Sequence, residues 1–214
     1  MKIKEETALK IAKFLLQIKA IKLNINEPFT WASGWKSPIY CDNRITLSYP
    51  AIRNFIRQEF VNIINDDFGD VNLIAGVATG GIAHGVLVAQ DLGLPFAYVR
   101  SAAKDHGLTN RIEGVVESGQ SVVVIEDLVS TGGSSLSAVE ALRRAGANVK
   151  GLISIFNYGF SIARQRFENA NCPEYALSNY DYLITQALEE NYIREEDMLT
   201  LKHWRDNPET WNGN

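Results

Sequence analysis

Cysteine is scarce: Cys41 and Cys172 are the only two in 214 residues. That is too few for a disulfide framework, so a reducing compartment is the simpler setting. Neither sits in a recognisable nucleophile signature, and a free cysteine is most often a small buried hydrophobe. Long apolar runs are also missing, and none approaches the ~20 residues of a membrane span. Basic residues are in deficit: 21 Lys and Arg against 25 Asp and Glu give a formal net charge of −4. That balance argues against a nucleic-acid or polybasic membrane binder, leaving at most a local basic patch. No segment is low in complexity and nothing repeats internally. Neither G-x-x-x-x-G-K-[S/T] nor a G-x-G-x-x-G after a strand occurs, so the two commonest nucleotide-phosphate loops are excluded.

What is present suits one compact α/β domain. The first residues, MKIKEETALKIAKFLLQIKAIKLN, interrupt their apolar positions with Lys at every turn. A signal peptide needs an unbroken apolar stretch, so this is an amphipathic helix over about residues 5–20, and a cytoplasmic location is expected. Residues 27–44 are rich in aromatics, Gly and Pro and read as loop plus short strand. Ser48 before Tyr49-Pro50 predicts a helix start, and Phe68-Gly69 its end. Apolar runs at 73–77, 96–99, 121–125 and 149–156 alternate with helical patterns at about 82–92 and 133–145. Continuous apolar strands alternating with helices predict a parallel sheet covered on both faces. The tail reads as two helices, about 179–190 and 195–204, followed by a frayed DNPETWNGN, and its Trp204 and Trp211 serve packing or dimer contact.

The chemistry concentrates in VVVIEDLVSTGGSS, residues 122–135. A buried strand ends at two adjacent acids, and a Ser/Thr/Gly loop then opens directly into a helix. Ligands of open parallel sheets bind outside the carboxyl ends of the strands, where this loop falls. A helix N-terminus offers unpaired N–H groups and about half a positive charge. Gly132 and Gly133 let the backbone approach an anion, and Ser130, Thr131, Ser134 and Ser135 add hydroxyls. Glu126 and Asp127 would repel a phosphate but suit the neutral hydroxyls of a sugar, so the ligand implied is a ribose 5-phosphate. The alternative is a turn whose acids merely cap the helix. Thr79-Gly80-Gly81, also after a strand, is a second candidate anion loop or a tight turn.

The pattern strand–acid–acid–x–x–[S/T]–[S/T]–G–G resembles the phosphoribosyl-diphosphate (PRPP) signature of the type I phosphoribosyltransferases. Arg100, Lys104 and His106 crowd one loop of an acidic chain, and R-x-x-x-K-D-H-G followed by I-E-G resembles the catalytic loop of the orotate branch of that family. Such donors stabilise charge that builds on departing diphosphate oxygens. The alternative for the loop is a solvated charged run. The segment FTWASGWKSPIY, residues 29–40, is similar to the F-T-x-x-S-G-x-K-S-P-x-Y pattern of the same branch.

The resemblance implies a central parallel sheet flanked by helices, with residues 70–160 as PRPP-binding core and a small N-terminal hood within residues 1–45. It implies that Arg100, Lys104, His106, Glu126, Asp127, Leu128, Val129, Ser130, Thr131, Gly132, Gly133 and Ser134 bind PRPP. Lys104, His106 and Asp127 would be catalytic, and Ser130 and Tyr40 would touch orotate. Mg²⁺ would be held mainly by PRPP and water, and a homodimer would share loop 101–114 across its interface. Lys36 and Arg44 either supply charge to the base or brace the fold. Ala32, Gly80 and Ser101 stand where enterobacterial members carry Lys, Ala102 where a second branch does, and Tyr158 near an orotate-binding Arg. Rival expectations are another base, a PRPP-sensing regulator, or a nucleotide-binding module without turnover.

Overall fold

The computed structural model describes residues 4–101 and 111–212. Helix α1 (Glu5–Gln17) buries Ala8, Ile11, Ala12, Leu15 and Leu16, one stripe at helical spacing. Two short antiparallel pairs follow and form the hood. Strand β1 (Ile21–Leu23) pairs with β4 (Ile39–Cys41), and β2 (Phe29–Thr30) with β3 (Lys36–Ser37). A 3₁₀ turn, Asn43–Ser48, leads into α2 (Pro50–Ile63), with Pro50 in its first turn. The cap residue is Tyr49 rather than the expected Ser48, because Ser48 is already used by the 3₁₀ turn.

The core sheet is built from β5 (Leu73–Val77), α3 (Gly80–Leu92), β6 (Phe96–Val99), β7 (Ile112–Glu113), β8 (Ser121–Val129), α4 (Gly133–Arg144) and β9 (Asn148–Asn157). It continues through α5 (Ser161–Asn169) and β10 (Glu174–Asn179), and the chain ends in α6 (Tyr180–Glu189) and α7 (Met198–Asp206). The spatial order is β10-β9-β8-β5-β6-β7, parallel throughout except for the antiparallel edge pair β6–β7.

Side chains alternate along the strands between two cores. Ile74, Val123, Ile125 and Ile153 join the face covered by α1, α2, α6 and α7. Leu73, Ala75, Val122, Val124 and Leu152 join the face covered by α4 and α5. Burial on both faces is why these strands read as unbroken apolar runs, each Val or Ile contributing ~1.5–3 kcal/mol.

Three features differ from expectation. Strand β8 runs on to Val129, four residues beyond the predicted end, because its register with β9 continues through Val129↔Asn157. Helix α5 and strand β10 lie where no element was foreseen; β10 is an edge strand with only Leu177 and Ser178 fully buried, so its alternation is weak. The stretch expected to fray is packed as far as Trp211, which is 4% exposed, while Trp204 at 0% serves packing as expected.

Candidate active site

The sheet order places the topological switch between β5 and β8, since β5 connects through α3 to β6 on one side and β8 through α4 to β9 on the other. A crevice must open where successive crossovers diverge, at the carboxyl ends of those strands. There lies a cavity of about 450 Å³ lined by Cys41, Asp42, Arg44, Val77 to Gly80, Glu126 to Leu128 and Ser130 to Ser134. Helices α3 and α4 both begin on it, and neither N-terminus is capped by a side chain. Two sets of first-turn N–H groups therefore face one cavity, which is a site for two anionic groups. A larger cavity, about 830 Å³, lies between α5 and β10, but no Ser/Thr/Gly loop lines it.

Gly132 makes the turn into α4 with φ 77°, a left-handed conformation that favours glycine. Arg166 donates to the Thr131 carbonyl at 2.9 Å and steadies the loop from α5. At the α3 end, a Cβ on Gly80 would run into the Asp127 carboxyl group, and one on Gly81 into the Ile125 carbonyl. The absence of side chains there lets α3 seat tightly against β8.

The two acids occupy different environments. Glu126 is 4% exposed and turned inward, accepting from the Asp127 N–H and from Ser135 Oγ, each at 3.0 Å. Burial, and then the neighbouring Asp127 charge, push its carboxyl well above the ordinary carboxylate range. Asp127 is half-buried at the cavity; burial raises its carboxyl too, opposed by its hydrogen bond with Glu126 and by Arg44. Arg44 lines the cavity but chelates Asp42 through Nε and Nη2 at 2.7 and 2.9 Å, so its first role is bracing. Lys36 donates to Thr30 Oγ1 at 2.7 Å, within the hood.

The structure thus brings together Glu126, Asp127, Leu128, Ser130, Thr131, Gly132, Gly133 and Ser134 around one cavity. It places three expected contacts outside the lining. Val129 is fully buried, and its carbonyl accepts from the Tyr158 N–H at 3.1 Å, because β8 is still paired there. Tyr40 is 41% exposed on β4 and leans on Phe29, with ring centroids 5.7 Å apart. Arg100 ends β6 and pairs with Glu113 on β7 at 3.1 Å. Lys104, His106 and Ala102 lie outside the described residues; the loop's ends are joined by the Arg100 N–H to Arg111 carbonyl bond at 2.9 Å. Residues that sequence reasoning did not single out are Asn43, whose amide donates to the Asp127 carbonyl at 2.6 Å, and Ser135 in its role as partner of Glu126. The only signal for Asn43 was its place in the SPIYCDNR run.

A phosphoribosyl transferase domain model matches residues 47–176, which span this sheet and both anion loops. Orotate phosphoribosyltransferase of Porphyromonas gingivalis is 56% identical over 201 residues, covering 94% of this chain and 96% of that one. The enzyme of the same name from Listeria innocua is 55% identical over the same shares of the two chains. The chain belongs to the orotate phosphoribosyltransferase family. The crystal structure of orotate phosphoribosyltransferase from Aeropyrum pernix superposes with a TM-score of 0.74 at 26% identity, covering 86% of this chain and 99% of that one.

Within this orotate phosphoribosyltransferase family member, the positions without the expected lysines have physical accounts of different strength. At Gly80 a Cβ would meet the Asp127 carboxyl group, so a side chain there requires Asp127 to move. Ala32 and Ser101 are exposed, and nothing in the structure explains the loss of Lys there. Tyr158 is 2% exposed and stacks on Phe160, with centroids 5.4 Å apart, within an aromatic cluster that includes Trp31 and Trp204. Burial pushes its phenol well above the ordinary range.

Proposed function

We propose that the chain transfers the 5-phosphoribosyl group from PRPP to orotate, giving orotidine 5′-phosphate and pyrophosphate in pyrimidine biosynthesis. The observation that carries this is the pair of uncapped helix N-termini facing one cavity with Asp127 between them, in a chain over half identical to enzymes of that name. In the reaction, the bond from ribose C1 to the diphosphate oxygen breaks. Orotate N1 bonds to C1 and its proton goes to solvent.

The loop Ser130 to Ser134 and the N-terminus of α4 hold the 5′-phosphate, and the N-terminus of α3 faces the diphosphate. Asp127 accepts from the ribose hydroxyls, while Glu126 holds Asp127 and Ser135 in place from behind. Lys104 and His106 donate to the leaving oxygens, where negative charge grows in the transition state. Arg100 joins them by exchanging Glu113 for diphosphate. Ser130 reaches toward orotate, and the exposed ring of Tyr40 closes over the base from the hood.

Mg²⁺ fits this site as an ion carried on diphosphate oxygens and water, with Asp127 at most one ligand. No group of three His, Cys, Asp or Glu able to hold a metal occurs among the described residues, and Mg²⁺ commonly keeps several waters. Bound there, it would neutralise charge on the diphosphate. Loop 101–114 serves a partner's site in a cytoplasmic homodimer.

Purified protein given PRPP, Mg²⁺ and orotate should consume orotate and release pyrophosphate. Turnover of hypoxanthine or uracil with no consumption of orotate would sink the choice of base. Binding of PRPP without turnover of any base would favour a sensing role instead.

A further inference from the structure

Asp127 lies just past the point where the β5–β8 ladder ends, because β5 stops at Val77 and its last pairing is Gly76↔Ile125. A buried carbonyl there needs a substitute partner. Asn43 supplies it: its side chain is fully buried, and Nδ2 donates to the Asp127 carbonyl at 2.6 Å across 84 residues of sequence. The amide is itself held. The Asp127 carbonyl can only accept, so the amide nitrogen faces it, and Cys41 Sγ then donates to Asn43 Oδ1 at 3.2 Å. Thr46 Oγ1 donates to the Asn43 carbonyl at 2.5 Å. His84 Nε2 lies 3.1 Å from the same hydroxyl, and with that hydroxyl's proton already given to Asn43, Nε2 must be the donor. Asn43, Thr46 and His84 are all 0% exposed.

We propose that Asn43, oriented by Cys41 and by the Thr46–His84 pair, is a positioning residue for Asp127, tying the hood to the ribose end of the site. The Asp127 N–H is taken by Glu126 and its carbonyl by Asn43, so both backbone groups of that residue are fixed. The carboxyl group is then aimed over Gly80, in space that no side chain at position 80 contests. Loss of the Asn43 donor frees the Asp127 peptide to rotate, and a carboxylate displaced by ~1 Å no longer meets the ribose hydroxyls in reactive geometry. This rests on the phosphoribosyl transfer proposed above, and the experiment separates the two.

The test compares wild type with Asn43→Ala, Thr46→Val and Thr46→Ser, all as full chains. Rates are expressed per folded molecule from urea titration, with saturating PRPP, Mg²⁺ and orotate. The Asp127 ¹³Cγ resonance, assigned through Asp127→Asn, is recorded without substrate at one pH. Asn43→Ala should lower kcat about thirty-fold while the KM for PRPP stays within about three-fold, as for a group placed for the transition state. Thr46→Val should lower kcat about ten-fold and Thr46→Ser should restore most of it. The ¹³Cγ resonance should move in Asn43→Ala and Thr46→Val and stay in place in Thr46→Ser. A kcat for folded Asn43→Ala within two-fold of wild type overturns the proposal, as does an unmoved ¹³Cγ resonance. A wild type that does not consume orotate refutes the transfer reaction instead, and the ¹³Cγ comparison then decides the positioning role alone.

Discussion

Lowering the pH from 7.5 to 5 probes the buried imidazole of His84. The ring is fully buried and lies edge-on to Phe60 with centroids 6.5 Å apart, and its Nδ1 has no hydrogen-bond partner among the described residues. Burial, and then the nearby Arg53 charge, lower its pKa from 6.5 to about 4. In the unfolded chain the ring protonates first, so the stability owed to the neutral ring is complete above about 6.5 and is lost as the pH falls toward 4. At about 1.4 kcal/mol per tenfold change in proton affinity, the loss approaches ~3 kcal/mol in the limit and ~2 kcal/mol by pH 5. Glu126 and Asp127 act in the opposite sense, because their raised values favour the folded state at low pH. The assay is therefore a difference: urea unfolding of wild type and His84→Gln across the pH series. Gln keeps an N–H for Thr46 but does not titrate, so the carboxylate contributions cancel. The stability advantage of wild type over the variant should shrink by ~2 kcal/mol between pH 7.5 and 5. A constant difference, or one that grows as the pH falls, would show that the native ring takes up protons freely and would refute the reasoning.

Gly80→Ala should displace the Asp127 carboxyl group and lower kcat/KM for PRPP at least about ten-fold while the protein still folds; an unchanged kcat/KM would mean that Asp127 has slack the geometry does not show. Trp204→Ala should cost ~3–5 kcal/mol in urea unfolding, because the indole packs on Trp31, Tyr158 and Phe160 and donates to the Lys36 carbonyl at 3.2 Å; a loss below ~1 kcal/mol would detach the tail from hood stability. Lys104→Ala should lower kcat by orders of magnitude, and mixing it with Asp127→Ala should restore partial activity where loops are exchanged between subunits. Mixed dimers verified by mass spectrometry yet inactive would mean that each loop serves its own subunit.

The parallel core was readable because strands buried on both faces leave unbroken apolar runs, as in Val122 to Ile125, and because a Ser/Thr/Gly loop before a helix has few other uses. The C-terminal edge was not. Strand β10 leaves four of its six residues half-buried, and its place in the sheet comes from pairing with β9 rather than from its own pattern. The same holds at the site. Glu126 and Asp127 are neighbours of the same charge type in sequence and both line the cavity, yet β8 leaves Glu126 buried against Ser135 and Asp127 half-buried. Asn43 carried no signal of its own, since a buried amide 84 residues from its partner leaves no periodicity to detect.

From the sequence alone came the α/β class, the apolar strand that carries two adjacent acids, the anion loop behind it and the family resemblance. Each rests on short segments whose patterns are read one at a time, along the chain. Tertiary structure alone decided that α3 and α4 start on one cavity, that Gly80 lies directly under the Asp127 carboxyl group, and that Trp204 from the last helix underpins the hood. It also decided that Asn43 holds the Asp127 carbonyl. Those are contacts between segments far apart in the chain, and they exist only after the sheet order has brought the ends of β5 and β8 together.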